Sequence, residues 1–241
     1  MAAINFFTFK WGTKYGPEYV NRLYGSLRRH CSMEFNLTAI TDNTSGIDNN
    51  INTIDYTSFD PFPHTKDKIF TREKLVLFDR FVEGKNCWLD LDILIHDNID
   101  ELINQDFPKP KFIWNYWNDY KRRSEMWYGK GVSCHVNSSV VMWEGTGGRY
   151  LYNLLKDNED KAFFTYKSLD KFLFYQAHRK GLMDFWDEGI VSNFNREWFQ
   201  KKGKISIFNT SHILFNKGIT EQAFELDEVK GWAEDLWKSY Y

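Results

Sequence analysis

Alternating apolar runs and helical patterns in the first hundred residues constrain the fold of this 241-residue chain most strongly. Runs rich in Ile, Leu, Phe and Thr indicate strands, and apolar residues at helical spacing indicate helices between them. In chain order the segments are a strand "AINFFTFK", a helix "PEYVNRLYGSLRRHC", a strand "FNLTAITD", a helix "FTREKLVLFDRFVEG" and a strand "NCWLDLDILIHDNID". This rhythm predicts an α/β fold with a mostly parallel central sheet flanked by helices.

The rest of the chain continues the pattern less regularly. Further strands and helices are expected in "KFIWNYW", "VNSSVVMW", "GRYLYNLLK", "SLDKFLFYQAHRKG" and "KISIF". Residues 220–238 read as an amphipathic C-terminal helix, and Gly84 is placed to end the helix that precedes it. Because no repeat or low-complexity linker divides the chain, we expect a single domain over residues 1–241.

Composition excludes several classes of function. The net charge is −2 and Lys and Arg are scattered, which argues against nucleic-acid binding. Three widely spaced cysteines predict neither a disulfide framework nor a zinc cluster. No stretch approaches the roughly 18–20 apolar residues of a transmembrane segment, and the N-terminus lacks a signal-peptide pattern. We therefore expect a cytoplasmic protein.

Asp90 and Asp92 interrupt an otherwise apolar strand. A carboxylate is costly to bury unless it is paired or coordinates a metal ion. In open α/β sheets ligands bind beyond the carboxyl ends of the strands, and strand alternation would point both side chains to one side. Converging carboxylates repel each other unless a cation lies between them, and Mg²⁺ or Mn²⁺ bound with substrate phosphates fits such ligands. The pair therefore predicts a divalent metal site with a phosphorylated ligand.

The segment "KLVLFDRFVEGKNCWLDLDILIHDNIDEL" resembles the core of the GT-A nucleotide-sugar glycosyltransferases, in which an Asp-x-Asp motif follows an apolar strand. The nearest branch is the glycogenin-like and lipopolysaccharide galactosyltransferase-like one (family 8). The resemblance implies a Rossmann-like GT-A fold and a hexosyltransferase-like enzyme. Such an enzyme would transfer a sugar, with retention of configuration, from a nucleoside-diphosphate sugar, UDP-sugar favoured, to a glycan or other hydroxyl acceptor. The implied cofactor is Mn²⁺ or Mg²⁺.

The resemblance also implies roles for single residues, carried over by position. Metal coordination falls to Asp90 and Asp92, and catalytic roles fall to Lys74, Asn137 and Asp170. Lys74 would face the diphosphate with Arg72 close by, Asn137 and Ser138 would lie beside donor sugar and acceptor, and Asp170 would contact the donor sugar. The remaining donor-binding residues it implies are Thr8, Lys10, Trp11, Tyr15, Asp42 and Leu91.

Two departures from the family pattern affect these expectations. The family's third metal ligand is a late His in a His-x-x-Gly-x-x-Lys pattern, but Asn209 stands there and His212 follows three residues on. Three alternatives are open: His212 is the ligand, Asn209 replaces it through its carbonyl, or water takes the position. The glycine of the family's Asn-small-Gly motif is Ser139, so the acceptor pocket is expected to differ.

Other interpretations of the same residues remain open. Asp42 also suits the start of the turn "DNTSG", and Asp170 suits a helix N-terminus. The aromatic loop "WNYWNDYKRRSEMWYGKG", which begins at Trp114, would form an acceptor platform or lid, or pack its own aromatics. The whole chain could instead be a catalytically inactive nucleotide- or sugar-binding module. A HAD-type phosphatase is a second alternative, since it also places Asp-x-Asp after an apolar strand.

Overall fold

The computed structural model describes residues 3–59, 72–116, 134–166, 168–193, 201, 203–207 and 232–240. The strands are β1 (Ile4–Lys10), β2 (Phe35–Thr41), β3 (Asn52–Asp55), β4 (Lys85–Leu89), β5 (Ile93–Ile95), β6 (Lys111–Trp114), β7 (Val136–Glu144), β8 (Asp184–Phe185), β9 (Val191–Asn193) and β10 (Ile205–Ile207). The α-helices are α1 (Pro17–His30), α2 (Tyr56–Phe59), α3 (Leu77–Arg80), α4 (Asp100–Ile103), α5 (Arg149–Asp157), α6 (Leu169–Gln176) and α7 (Trp232–Lys238). Shorter 3₁₀ turns span Arg72–Val76 and His178–Lys180, and one π-helical turn spans Lys161–Thr165.

Within the described residues, the central sheet has seven strands in the order β3-β2-β1-β4-β7-β6-β8. Strands β1 to β4 run parallel, β7 is antiparallel to both β4 and β6, and β8 is parallel to β6. A second sheet joins β5, β10 and β9. The predicted α/β fold with a mostly parallel central sheet is confirmed.

This topology gathers several strand ends at one edge of the sheet. Strands β1, β2, β3, β4 and β6 all finish there, and the antiparallel β7 begins there. The backbone N–H of Asp90, just after β4, donates to the carbonyl of Ser139 in β7 at 2.9 Å. Ligands of open α/β sheets bind at this edge.

Apolar side chains form a core on each face of the sheet, because successive strand residues point to opposite faces. Phe6 and Cys87 belong to the core that also contains α1, α4 and α7 side chains. Phe7 and Trp88, their neighbours in sequence, belong to the core under α3, α5 and α6. Strands β1 and β4 therefore contribute side chains to both cores.

The helix predicted to end at Gly84 is shorter than expected. It ends at Arg80, where the Phe81 N–H donates to the Leu77 carbonyl, and a 3₁₀ turn precedes it. The Phe81 carbonyl instead accepts from Trp143 Nε1 at 3.1 Å, so tertiary packing takes the chain out of the helix. Gly84 adopts φ 62° in the turn that enters β4, a conformation that favours glycine.

The predicted C-terminal helix is described only in its last part. Residues 232–238 are helical, and 220–231 lie outside the described residues. Among the helices that the structure describes, none has the length and apolar character needed to cross a membrane.

Candidate active site

A tight turn, and not a strand, presents the two aspartates. Strand β4 stops at Leu89, and Asp90, Leu91 and Asp92 form the turn that leads into β5. We call these three residues the acidic turn. Leu91 is 5% exposed and packs into the core, while both aspartates line the cavity beside it. Both carboxylates thus face one cavity, as expected, but they do so from a turn and not through strand alternation.

Lys74 and Trp88 hold the Asp90 carboxylate. The Lys74 ammonium, on a side chain that is almost fully buried, bonds Asp90 Oδ1 and lies 4.1 Å from the centre of the Trp88 ring. Trp88 Nε1 donates to the same oxygen at 3.1 Å. Since both of these donors use Oδ1, Oδ2 is the oxygen of Asp90 that is left to bind a ligand.

Asp92 has a different environment. Burial, and then the neighbouring charge of Asp90, raises the pKa of the Asp92 carboxyl, while Lys14 and Lys74 act in the opposite direction. Burial, and then the charges of Asp92 and Asp90, raises the pKa of the Tyr15 hydroxyl, which therefore stays neutral. A cation beside this pair would offset the repulsion between the two carboxylates.

The donor set fits a divalent cation. Carboxylate oxygens are the ligands that Mg²⁺ and Mn²⁺ prefer, and Asp90 Oδ2 and the Asp92 carboxylate supply them at one place. Among the described residues, no group of three His, Cys, Asp or Glu side chains is placed to hold a metal ion. The predicted third ligand, His212 or Asn209, lies outside the described residues.

A cavity of about 470 Å³ opens next to the acidic turn. This volume lies within the range of small-molecule sites, roughly 300–1,000 Å³. Six predicted site residues line it: Trp11, Tyr15, Lys74, Asp90, Leu91 and Asp92. Five lining residues were not predicted: Phe9, Gly12, Thr13, Lys14 and Glu73. The available signal was position in the sequence: Gly12, Thr13 and Lys14 lie in the loop after β1, Phe9 lies near the end of β1, and Glu73 is next to Lys74.

Trp11 lines the cavity, and a second aromatic ring packs on it. The Trp11 ring stacks on Tyr56, with centroids 5.8 Å apart and planes inclined by 19°. Asp42, exposed at the end of β2, accepts a hydrogen bond from the Gly12 N–H at 2.8 Å and so fixes the loop that carries Trp11. Sequence reasoning missed Tyr56, although an aromatic residue directly after the short strand in "INTIDY" was the available signal.

Asp170 lies close to the Lys74–Asp90 pair. It stands in the first turn of α6, whose N-cap Ser168 accepts from the Lys171 N–H at 3.2 Å. Burial raises the pKa of Asp170 to about 6, the charge of Asp90 adds to this shift, and hydrogen bonds from Ser138 and the charge of Lys74 oppose it. Within the described residues, its buried Oδ1 has no hydrogen-bond partner.

Among the described residues that line the cavity, Thr8, Lys10, Asn137 and Ser138 do not appear. Thr8 and Lys10 are buried at the end of β1, and Asn137 Oδ1 accepts from the Ser139 N–H at 2.9 Å. Arg72 lies in the 3₁₀ turn before α3, and its side chain is outside the described part of the structure.

Trp114 is part of a packed aromatic cluster. It stacks on His135, with centroids 4.8 Å apart, and contacts Phe185 edge-on at 5.0 Å. Residues 117–133, which include the predicted platform aromatics Trp117, Trp127 and Tyr128, lie outside the described residues. For Trp114 itself, the interpretation as a packed aromatic fits these contacts.

Comparison with known proteins gives matches in structure alone. No family model matches the sequence, and no curated protein does either. Galactosyltransferase LgtC, solved with donor and acceptor sugar analogues, aligns with a TM-score of 0.65 at 12% identity over 98% of this chain and 94% of that one. Glycosyltransferase GlyE of Streptococcus pneumoniae aligns with a TM-score of 0.63 at 13% identity over 99% of this chain and 60% of that one.

Mouse xyloside xylosyltransferase 1 aligns with a TM-score of 0.55 at 15% identity, over 87% of this chain and 99% of that one. At such identities the likeness is one of fold. The resemblance predicted from the acidic motif is therefore confirmed at that level, and this chain has the GT-A glycosyltransferase fold.

Proposed function

We propose that this protein is a metal-dependent glycosyltransferase that uses a nucleoside-diphosphate sugar. The observation that carries the proposal is the acidic turn itself: one carboxylate held by Lys74 and Trp88, the other beside Tyr15, both lining a cavity of about 470 Å³. The cavity lies at the ligand-binding edge of a GT-A sheet.

The charges at the cavity suit a diphosphate leaving group. Asp90 and Asp92 would hold Mn²⁺ or Mg²⁺, and the bound ion would act as a Lewis acid that neutralises the departing diphosphate. Lys74 and Lys14 place further positive charge at the same cavity. Preorganised charge of this kind is worth about 10²–10³ in rate for a single donor.

The Trp11 ring that lines the cavity suits the nucleoside. Trp11 on Tyr56 offers a flat surface for the base, and Asp42 holds the loop that positions Trp11. UDP-sugar stays the favoured donor from the sequence resemblance, and Thr8 and Lys10 stay predicted nucleoside contacts. A glycan or other hydroxyl acceptor is proposed, since LgtC was solved with donor and acceptor sugar analogues.

Asp170, with Ser138 and Asn137, is proposed to face the donor sugar and the acceptor. The buried Oδ1 of Asp170 offers an acceptor to a sugar hydroxyl, and its carboxyl lies within electrostatic reach of both Lys74 and Asp90. Retention of configuration and the cytoplasmic location stay predictions from the sequence.

A thermal-shift screen tests the proposal. UDP, GDP, CMP and dTDP are each added with and without Mn²⁺ to the wild type, to Asp92→Asn and to Asp97→Asn. A ligand that binds the folded state stabilises it by RT ln(1 + [L]/Kd), about 2.7 kcal/mol at a hundredfold excess over Kd. We expect a Mn²⁺-dependent rise in Tm for one nucleotide, lost in Asp92→Asn.

Asp97→Asn is the matched control, because Asp97 is an exposed aspartate close in sequence that does not line the cavity. Asp97→Asn should keep the full Mn²⁺-dependent rise in Tm. A wild type that responds to no nucleotide would contradict the proposal. In that case, release of phosphate from p-nitrophenyl phosphate by the same sample would support the phosphatase alternative. If the wild type does bind a nucleotide but transfers no sugar, the inactive module is supported instead.

A further inference from the structure

The C-terminal segment, residues 232–240, packs beneath the acidic turn. Leu91, the middle residue of that turn, lines the same internal crevice as Trp237 and Tyr240. All three side chains are buried in one core. The wall behind the two aspartates is thus built partly by residues nearly 150 positions later in the chain.

A row of aromatic rings forms a second connection between this segment and the cavity. The Tyr15 ring, which lines the cavity, meets Tyr19 edge-on at 5.0 Å. Tyr19 in turn lies 4.8 Å from the Trp237 ring, and the Arg22 guanidinium lies 3.7 Å from the centre of that ring. Movement of Trp237 would therefore change the support of Tyr15, whose hydroxyl faces Asp92.

Hydrogen bonds fix the segment against the strand that follows the turn. The Tyr240 hydroxyl donates to the Ile95 carbonyl at 2.5 Å, and His30 Nε2 lies 2.9 Å from the same hydroxyl. Ile95 ends β5, three residues after Asp92. Arg29 adds hydrogen bonds to the Ser239 hydroxyl at 2.9 Å and to its carbonyl at 3.0 Å.

We infer that Trp237 and Tyr240 are positioning residues for the acidic turn, so that docking of the C-terminal segment and binding of the metal–nucleotide ligand favour each other. The inference rests on the proposed function, because it concerns the same two aspartates. Trp237 acts through Leu91 and the Tyr19–Tyr15 rings, and Tyr240 acts through the backbone of β5. Coupling between two sites is reciprocal: whatever the segment adds to ligand affinity, the ligand adds to docking of the segment.

Isothermal titration with UDP in the presence of Mn²⁺ tests the first half of this coupling. We expect Trp237→Ala to weaken binding about tenfold, within the roughly 5- to 150-fold range of such couplings. Trp237→Phe, which keeps a ring against Tyr19 and Leu91, should restore most of the affinity. Tyr240→Phe removes only the hydroxyl bonds and serves as a second, milder variant if Trp237→Ala does not fold.

Two control variants separate positioning from general loss of stability. Met142→Ala opens the same core at the end of β7 remote from the acidic turn, so it should lower Tm without changing affinity. Lys238→Gln changes an exposed residue of α7 and should change neither Tm nor the affinity for UDP.

Hydrogen exchange on the full-length wild type tests the second half. UDP with Mn²⁺ should slow amide exchange in residues 232–240, and Mn²⁺-free UDP should do so less. If the wild type binds UDP with Mn²⁺, and Trp237→Ala has the same affinity as Met142→Ala, the inference is overturned and the proposed function is left intact. Wild type that binds no nucleotide overturns both.

Discussion

Single residues of the same type have different chemistry in this site because their neighbours differ. Asp90 is fixed by Lys74 and Trp88, whereas Asp92 and Asp170 are partly buried residues whose carboxyl pKa values are raised. A buried carboxylate that lacks hydrogen-bond or ion-pair partners makes the ligand-free protein less stable. Such residues persist where a ligand completes their environment, which is the role proposed for all three.

Asp170→Asn is expected to stabilise the protein above pH 6. The native pKa of Asp170 is about 6, above its usual value of 3.8, so the native state holds the proton more tightly than the unfolded state does. The stability contributed by this group therefore falls as pH rises from about 4 to about 6 and stays low above it. The amide removes this penalty, about 1–3 kcal/mol by the size of the shift. Urea unfolding of both proteins at pH 4 and pH 7.5 measures it.

Asp55→Asn is the control of opposite sign. Hydrogen bonds from the Thr57 hydroxyl and backbone N–H, at 2.7 and 2.9 Å, lower the pKa of Asp55. Its contribution is present at neutral pH and disappears as pH falls, so Asp55→Asn should be less stable than wild type at pH 7.5. If the two variants change the free energy of unfolding in the same direction across this pH range, the raised pKa assigned to Asp170 is contradicted.

At the scale of elements, the site depends on where strands end and on how closely helices approach. The acidic turn, the loop after β1 and the start of β7 meet because β4 is paired with both β1 and β7. Behind them, α1 and the C-terminal segment approach so closely that only glycine fits at position 25. An added Cβ there would lie 2.0 Å from the Tyr240 carbonyl oxygen.

Gly25→Ala is therefore expected to destabilise the protein, although alanine is intrinsically better in a helix by about 1 kcal/mol. The methyl group must push the Tyr240 backbone away, and overpacking of this kind costs about 1–3 kcal/mol. The midpoint of urea unfolding measures the effect. Arg28→Ala, at an exposed position of the same helix, should change stability by less than about 0.5 kcal/mol. A more stable Gly25→Ala would show that Tyr240 does not approach α1 as described.

At the scale of the whole molecule, the two cores share their strands. Phe6 and Phe7 of β1 enter opposite cores, as do Cys87 and Trp88 of β4. Neither core can lose its strands without exposing the other. The single domain predicted from the sequence stays a prediction, and this sharing supports it.

We expect one cooperative unfolding transition. Tryptophan fluorescence, which reports on residues of both cores, should change together with far-ultraviolet circular dichroism in urea. Two separated transitions, or non-coincident curves from the two probes, would contradict the single domain. The same experiment on Met142→Ala should shift both curves equally.

Local sequence patterns were enough to predict the class of fold and to locate the candidate site. Period-two and helical apolar patterns reflect local burial, so the α/β order could be predicted, and the two aspartates could be recognised because charge is costly inside an apolar run. The remaining features depend on residues that are distant in the chain. The turn that joins Asp90 and Asp92, the early end of α3 at Trp143, the stacking of Trp11 on Tyr56 and the support from Trp237 all come from contacts between segments far apart in the chain, which local pattern does not encode.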